Sequence, residues 1–389
     1  MARNILIIGN GFDLYHKLPT RYNDFMFFAS EWDTFYLEYE KNIGAVGENK
    51  QISVPLTDRG ELTQESLAVF GHNPYLMKKD HIEFLRKNLK TNVWIKYFQE
   101  LQRTGMKWVD FEAEIQSALY DAEEYSMESI RQNVGKTGKE DLSDRLKRIP
   151  DIFGSAARNG YLNFGDTKIL ASYADISELQ KNKLKLIEFM VDELDSLITC
   201  LQYYLDDFVS NIKCSSYSEQ IKKIGEVDVL NFNYTTTYRS IYRGENLHHH
   251  HAVHGGIANG DIVLGISDDA FPNTYDYIRF QKYFQRIQKR TGSFYREWIN
   301  YEHGDDGTSS QKEVFIMGHS LGLADFGVLR DFFEGDWISK VTIFYHSQSS
   351  YEDLVVNLVK ALGKDPTIEM IGTEKIVFQE LKVPVLMMD

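Results

Sequence analysis

Four short polar groups, each just beyond an apolar run, hold the residues of this chain that could do chemistry. They are Gly9-Asn10-Gly11 with Asp13, Asn231 and Asn233 in NFNY, His254-Gly255 in AVHGG, and Gly318, Ser320 and Asp325 in MGHSLGLAD. In the first, two glycines flanking one residue permit a sharp turn and a close approach to a ligand, with amides of a following helix facing its phosphates. Leu14 stands where the dinucleotide fingerprint has its third glycine. The acid expected further on could only be Glu31, in a stretch that reads as helix, so an ordinary dehydrogenase is disfavoured. The alternative is a tight turn with no ligand. A carboxylate beside phosphates would be repelled, so Asp13 suits a ribose hydroxyl or a helix cap. Asn233 could hold a water or sugar hydroxyl through its paired donor and acceptor, with Asn231 on the same face, or both could bond local backbone. His254 has the chemistry of a general base near neutral pH.

Gly318, Ser320 and Gly322 spell the GxSxG turn of serine hydrolases. His346 is the only histidine after Ser320 and follows too soon for the usual intervening strands. Ser320 is therefore read as a ligand-contacting hydroxyl rather than a nucleophile, and Asp325 as a ligand contact or a complement to the helix N-terminus. The run His248-His249-His250-His251 reads as a solvated surface run, because consecutive side chains rarely converge on one ion. No metal is expected.

The elements that must position these groups follow from hydrophobic spacing. Residues 5–8 and the later runs EVDVLNFNY, DIVLGI, EVFIMGHS, KVTIFYHS and KIVFQEL read as strands, with a helix around Leu354, Leu358 and Leu362 between the last two. Ile82, Leu85, Leu89 and Val93, then Ile187, Met190, Leu194, Leu197 and Leu201, recur at helical spacing. The expected architecture is α/β: a Rossmann-like parallel sheet from residues 1–45 and 222–389, interrupted by a mainly α-helical insertion over 46–221 that covers the site. NVGKTGKEDLSDRLKR and KNIGAVGENKQ read as loops within or beside that insertion.

Composition narrows the classes. With 389 residues, 43% of them apolar, the chain can bury a large core. Two cysteines make neither a disulfide framework nor a four-cysteine zinc site, which suits the cytoplasm. The N-terminal apolar run is too short for a leader, and no run of about twenty apolar residues could span a membrane. A net charge of -14 opposes nucleic-acid binding over most of the surface. The basic stretch RFQKYFQRIQKR reads instead as a helix packing Phe280, Tyr283, Phe284 and Ile287 with its lysines and arginines in solvent.

Taken in order, ILIIGNGFDLYHKLPT, WVDFE, NFNYT, VHGG, VLGI and FIMGHSLGLAD resemble the AbiH phage abortive-infection family across nearly the full length. That family in turn resembles sirtuin-like NAD-binding domains, and a sirtuin-like sheet is what the resemblance implies for the fold. It implies that Gly9, Asn10, Gly11 and Asp13 form the nucleotide loop, and that Asn233 and His254 are catalytic. Asn231, Gly255, Gly265, Gly318, Ser320 and Asp325 would contribute to the cofactor side. Trp108, Asp110, Phe111 and Glu112 belong to the family pattern, with Trp108 and Phe111 read as core. The implied function is an antiphage effector that binds NAD, its only expected cofactor, and cleaves the nicotinamide glycosidic bond. Self-assembly into a homo-oligomer is implied too. A non-catalytic sensor of NAD or ADP-ribose is the alternative, and a serine hydrolase a more distant one.

Overall fold

The apolar run after the N-terminus becomes the middle of a sheet. In the computed structural model, which describes residues 3–43, 78–106, 110–133, 176–242, 247–300 and 311–387, strand β1 (Asn4–Ile8) is flanked on both sides by strands from far along the chain. These are β2 (Val227–Asn231) and β4 (Lys312–Met317), and the sheet continues outward through β3 (Leu247–Ala252) on one side and β5 (Ile338–Tyr345) and β6 (Ile376–Glu380) on the other. Every pairing is parallel. The order β3-β2-β1-β4-β5-β6 is that of the doubly wound dinucleotide fold, in which the chain reverses direction across the sheet beside β1. Both faces are covered: all five residues of β2 are buried, with Asp228 held by His249 and Asn231 by the turn that follows.

Two expectations about strands are corrected. DIVLGI forms no strand: Ile266 makes only an isolated bridge with Gln281, because Ile262 and Leu264 bury themselves in a helical core instead of joining a ladder. The histidine run, read as solvated surface, is β3 itself. Backbone pairing to β2 fixes it in place, His251 is buried, and His249 Nδ1 lies 2.9 Å from the buried Asp228 carboxylate.

Helices make a second layer. After the short α1 (Asn10–Tyr15) come α2 (Tyr22–Ile43), α3 (Lys79–Asn88), α4 (Val93–Arg103), α5 (Phe111–Asn133) and α6 (Ile176–Tyr203), the last running on into a π-helical turn. Asn92 caps α4 by accepting from the Trp94 and Ile95 amides, satisfying donors that helix formation leaves open. Phe25, Phe28 and Trp32 of α2, Trp94 and Phe98 of α4, Phe111 of α5 and Leu194 of α6 share one apolar core, separate from the cores on the sheet. Phe111 is stacked between Tyr22 and Phe98, each at 4.2 Å, which fixes where α5 begins. Trp108 and the loop NVGKTGKEDLSDRLKR, apart from Asn133, lie outside the described residues, as does the expected boundary near residue 45.

Three later helices complete what the site needs: α7 (Lys282–Lys289), α8 (Leu323–Leu329) and α9 (Gln348–Leu362). Among the described residues no helix is long and apolar enough to cross a membrane.

Candidate functional site

A cavity of about 420 Å³ opens at the carboxyl ends of β1, β2 and β4, where the strand order reverses. Its size is typical of a small-molecule site. Gly9, Asn10, Gly11, Asp13, Asn233, His254, Gly318, Ser320 and Asp325 all line it, so residues spread over more than three hundred positions converge as expected. Tyr22, Leu201 and Leu205 close it from the helical layer.

The glycine turn is built for another loop as much as for a ligand. Gly11 N donates to the Gly318 carbonyl at 2.8 Å, Phe12 N to the Gly9 carbonyl, and Gly9 N to Met317. The amides of Gly11 and Phe12, expected to face phosphates, are therefore committed within the protein. A Cβ on Gly9 would stand 2.7 Å from His319 Cα, and one on Gly11 2.7 Å from Gly318 Cα. Gly318 has φ +70 and would drive a Cβ to 2.1 Å from Phe12 N. Close approach of the β1 and β4 exits is what these positions require.

Asp13 neither caps α1 nor waits in solvent. Its Oδ2 accepts from Thr235 Oγ1 at 2.7 Å, Thr237 supports that hydroxyl, and its buried Oδ1 has no hydrogen-bond partner. Burial pushes the carboxyl up to about 6, against the pull of the two threonines.

Asn233 Nδ2 donates to the Gly9 carbonyl at 3.0 Å, and its amide N donates to Asn231 Oδ1. Asn231 is thereby corrected: it does not line the cavity, but braces the turn after β2 through Oδ1 and through Nδ2 on the Thr235 carbonyl. Gly255 and Gly265 likewise lie off the cavity lining. Gly255 has φ +64 and packs on the Asp261 carbonyl, and Gly265 packs on the Phe280 carbonyl, so each is needed for chain crossing rather than ligand contact.

His254 is buried, with Nε2 2.9 Å from Asp325 Oδ1 and Nδ1 without a partner. Burial lowers its pKa to about 4, although Asp325 opposes that. At neutral pH the ring is uncharged; with a carboxylate on Nε2, that nitrogen carries the proton and Nδ1 is left as an acceptor.

Asp325 is the hub. Its Oδ1 also receives Lys282 Nζ at 2.9 Å, and His319 Nε2 lies 3.6 Å from Oδ2. Leu321 N donates to His319 Nδ1, which assigns the ring proton to Nε2, facing Asp325. Lys282, only 1% exposed at its side chain, completes its coordination on Glu112 Oε2 at 2.8 Å. Burial works to raise the Asp325 carboxyl, but Lys282 and His254 outweigh it and hold it well below the usual range. Burial works to lower the Lys282 ammonium, yet Asp325 and Glu112 raise it. Glu112 goes the other way, pushed by burial up to about 7 despite Lys282.

Lys282, His319 and Glu112 were missed as site residues in the sequence. Lys282 was expected in solvent, but it is buried with Gln281 and Gln285; of the residues expected to pack, Phe280 is buried, Tyr283 and Phe284 are half-buried and Ile287 is 72% exposed. The signal was the polar spacing Gln281, Lys282, Gln285, which marks one helical face.

Ser320 does not have the setting of a nucleophile. It is exposed, its carbonyl accepts from Asn357, and among the described residues no histidine hydrogen-bonds its hydroxyl. The left-handed backbone falls on Gly318 and Leu321, and the next helix begins only at Leu323. Among the described residues no group of three or more His, Cys, Asp or Glu side chains is arranged to hold a metal ion.

The lining thus carries four carboxylic side chains, Asp13, Asp110, Glu112 and Asp325, against the single ammonium of Lys282. Two of them, Glu112 and Asp325, share that ammonium. The model of one protein family, described as bacteriophage abortive infection AbiH, matches residues 5–346. No curated protein and no solved structure matches the chain.

Proposed function

This chain belongs to the bacteriophage abortive infection AbiH family, and from that premise we propose that its cavity binds NAD and cleaves the nicotinamide glycosidic bond. The family gives a role in abortive infection. The chemistry is carried by one observation: His254, neutral and oriented by Asp325, lines the same cavity as Asn233, and its buried Nδ1 has no hydrogen-bond partner.

In this reading the glycosidic bond breaks with its electron pair leaving on nicotinamide, which departs neutral. Positive charge spreads over the ribose carbon and ring oxygen, where the surrounding carboxylates stabilise it. Asn233 orients the ribose or the water, the water oxygen forms the new bond, and its proton passes to His254 Nδ1. The sirtuin-like resemblance supports NAD as the ligand, and the strand order supports a nucleotide at this end of the sheet. Resemblance to related effectors extends the reading to a homo-oligomer, and the two cysteines extend it to the cytoplasm.

The test incubates purified protein with NAD beside a His254→Ala variant and follows nicotinamide by chromatography across protein concentrations. Release that falls by roughly 10²–10⁴ in the variant is expected for loss of a positioned base. Equal release by both proteins would overturn the assignment. NAD binding with no release at any concentration would replace it with a non-catalytic sensor.

A further inference from the structure

Helix α7 docks on the molecule through polar side chains. Gln285 holds both the amide and the carbonyl of Leu264, Gln281 reaches the Ala270 carbonyl, and between them Lys282 enters the cavity wall. There its Nζ meets Glu112 at the start of α5 and Asp325 in the first turn of α8. A fully buried ammonium is costly unless two partners satisfy it, and removing one partner exposes the whole desolvation penalty. The oxygen of Asp325 that receives Lys282 is also the one that receives His254 Nε2. Glu112, Lys282, Asp325 and His254 therefore form one continuous chain from the helical layer to the end of the sheet.

We propose that Lys282 and Glu112 are positioning residues that keep Asp325 an ionised acceptor aimed at His254 Nε2, and so keep His254 Nδ1 as the nitrogen that takes up a proton. The role of that proton rests on the reading of the cavity as a glycosidic-bond-cleaving site, but the arrangement of charges does not.

The direction of each effect follows from what faces what. His254 meets Asp325, Lys282 and Arg286, with His251 nearby, and Asp325 also faces His319. Glu112 meets Lys282, Asp325 and Asp110, with the Tyr22 and Tyr234 hydroxyls close by. The Lys282 cation opposes a second cation on His254. Without it, an imidazolium beside Asp325 becomes favourable, and His254 titrates at higher pH. Glu112 exerts no comparable pull on His254, so its neutralisation does not raise that titration. It removes only the charge change that Glu112 itself undergoes near neutral pH, which reaches His254 through Lys282 and Asp325.

The experiment is ring nitrogen and carbon NMR of histidine-labelled protein from about pH 3 to 8, without substrate, on the parent, Lys282→Met and Glu112→Gln, each checked for folding by circular dichroism across that range. In the parent, His254 is expected to be neutral with the proton on Nε2, and its shifts to show a small step near pH 7. Lys282→Met should raise the His254 midpoint by about one unit or more. Glu112→Gln should leave His254 neutral and erase the step. A folded Lys282→Met protein with an unmoved His254 midpoint overturns the proposal. If Lys282→Met does not fold, a parent His254 ring that carries its proton on Nδ1 rather than Nε2 overturns it equally. Rings that respond as expected in a protein that releases no nicotinamide leave the positioning pair standing and remove the enzymatic reading instead.

Discussion

Asn233 Nδ2 lies 3.0 Å from the Gly9 carbonyl oxygen, fastening the residue that follows β2 to the turn that leaves β1. Both ends of that bond are in the cavity lining, so the strands and the candidate site share a structural member. Asn233→Ala is expected to lower stability by about 1 kcal/mol, the usual net worth of one such bond. Asn233→Asp should cost more, since it turns a carboxylate oxygen toward the Gly9 carbonyl. Urea denaturation of the two variants checks the order; an aspartate variant as stable as the parent would refute it.

Gly318→Ala tests the packing of the two loops. The substitution places a side chain at φ +70 and within 2.1 Å of Phe12 N, where backbone must move. A loss of at least about 2 kcal/mol is expected, in the class of strained backbone positions. Thermal unfolding measures it, and a variant within 0.5 kcal/mol of the parent, about the scatter of neutral surface changes, would show that the β1 and β4 exits are not tightly apposed.

Asp13 gives a pH dependence with a definite sign. Its carboxyl is raised in the folded protein to about 6 from an ordinary 3.8, so the folded state binds the proton more tightly than the unfolded chain does. Its contribution to stability is fully present below pH 3.8 and is lost as pH rises through about 6. Asp13→Asn removes the charge while an amide oxygen can still accept from Thr235. It should stabilise the protein at pH 8 by on the order of 2 kcal/mol and leave it little changed near pH 4. Denaturation at the two pH values decides, and equal effects at both would refute the assignment.

Ser320 is expected to resist a fluorophosphonate probe in the folded protein, because no histidine activates its hydroxyl among the described residues. Ser320→Ala should weaken ligand binding by about 1 kcal/mol and spare any turnover step. Stoichiometric labelling at Ser320 would revive the hydrolase reading.

Much of the sheet was legible because covered parallel strands carry short apolar runs, residues 5–8 in β1, 314–317 in β4 and 341–344 in β5, the last broken only by Thr342. The polar groups after those runs were legible for the same topological reason. What failed was reading solvent from polarity. β3 is written in histidines, yet the backbone of β2 gives it a ladder and Asp228 gives it a partner. α7 buries Gln281, Lys282 and Gln285 because backbone groups of residues 264 and 270 and two carboxylates receive them, and nothing local announces those partners. DIVLGI failed in the opposite sense: its apolar residues are buried, but against helices. The glycines were found at the right places for an incomplete reason, since Gly9 and Gly11 make room for Gly318 and His319.

The central place of β1 also governs when the site can exist. Residues 4–8 leave the ribosome early, but their neighbours are residues 227–231 and 314–317, and the carboxylate that orients His254 comes at residue 325. A nascent chain can gather its helices around their own apolar core long before the sheet has a middle, because those contacts are closer in sequence. The cavity floor closes only once β4 has emerged. A chain cut short between His254 and β4 carries the histidine, the asparagine and the glycine turn, yet lacks the strand that closes the floor beneath them and the carboxylate that orients the histidine.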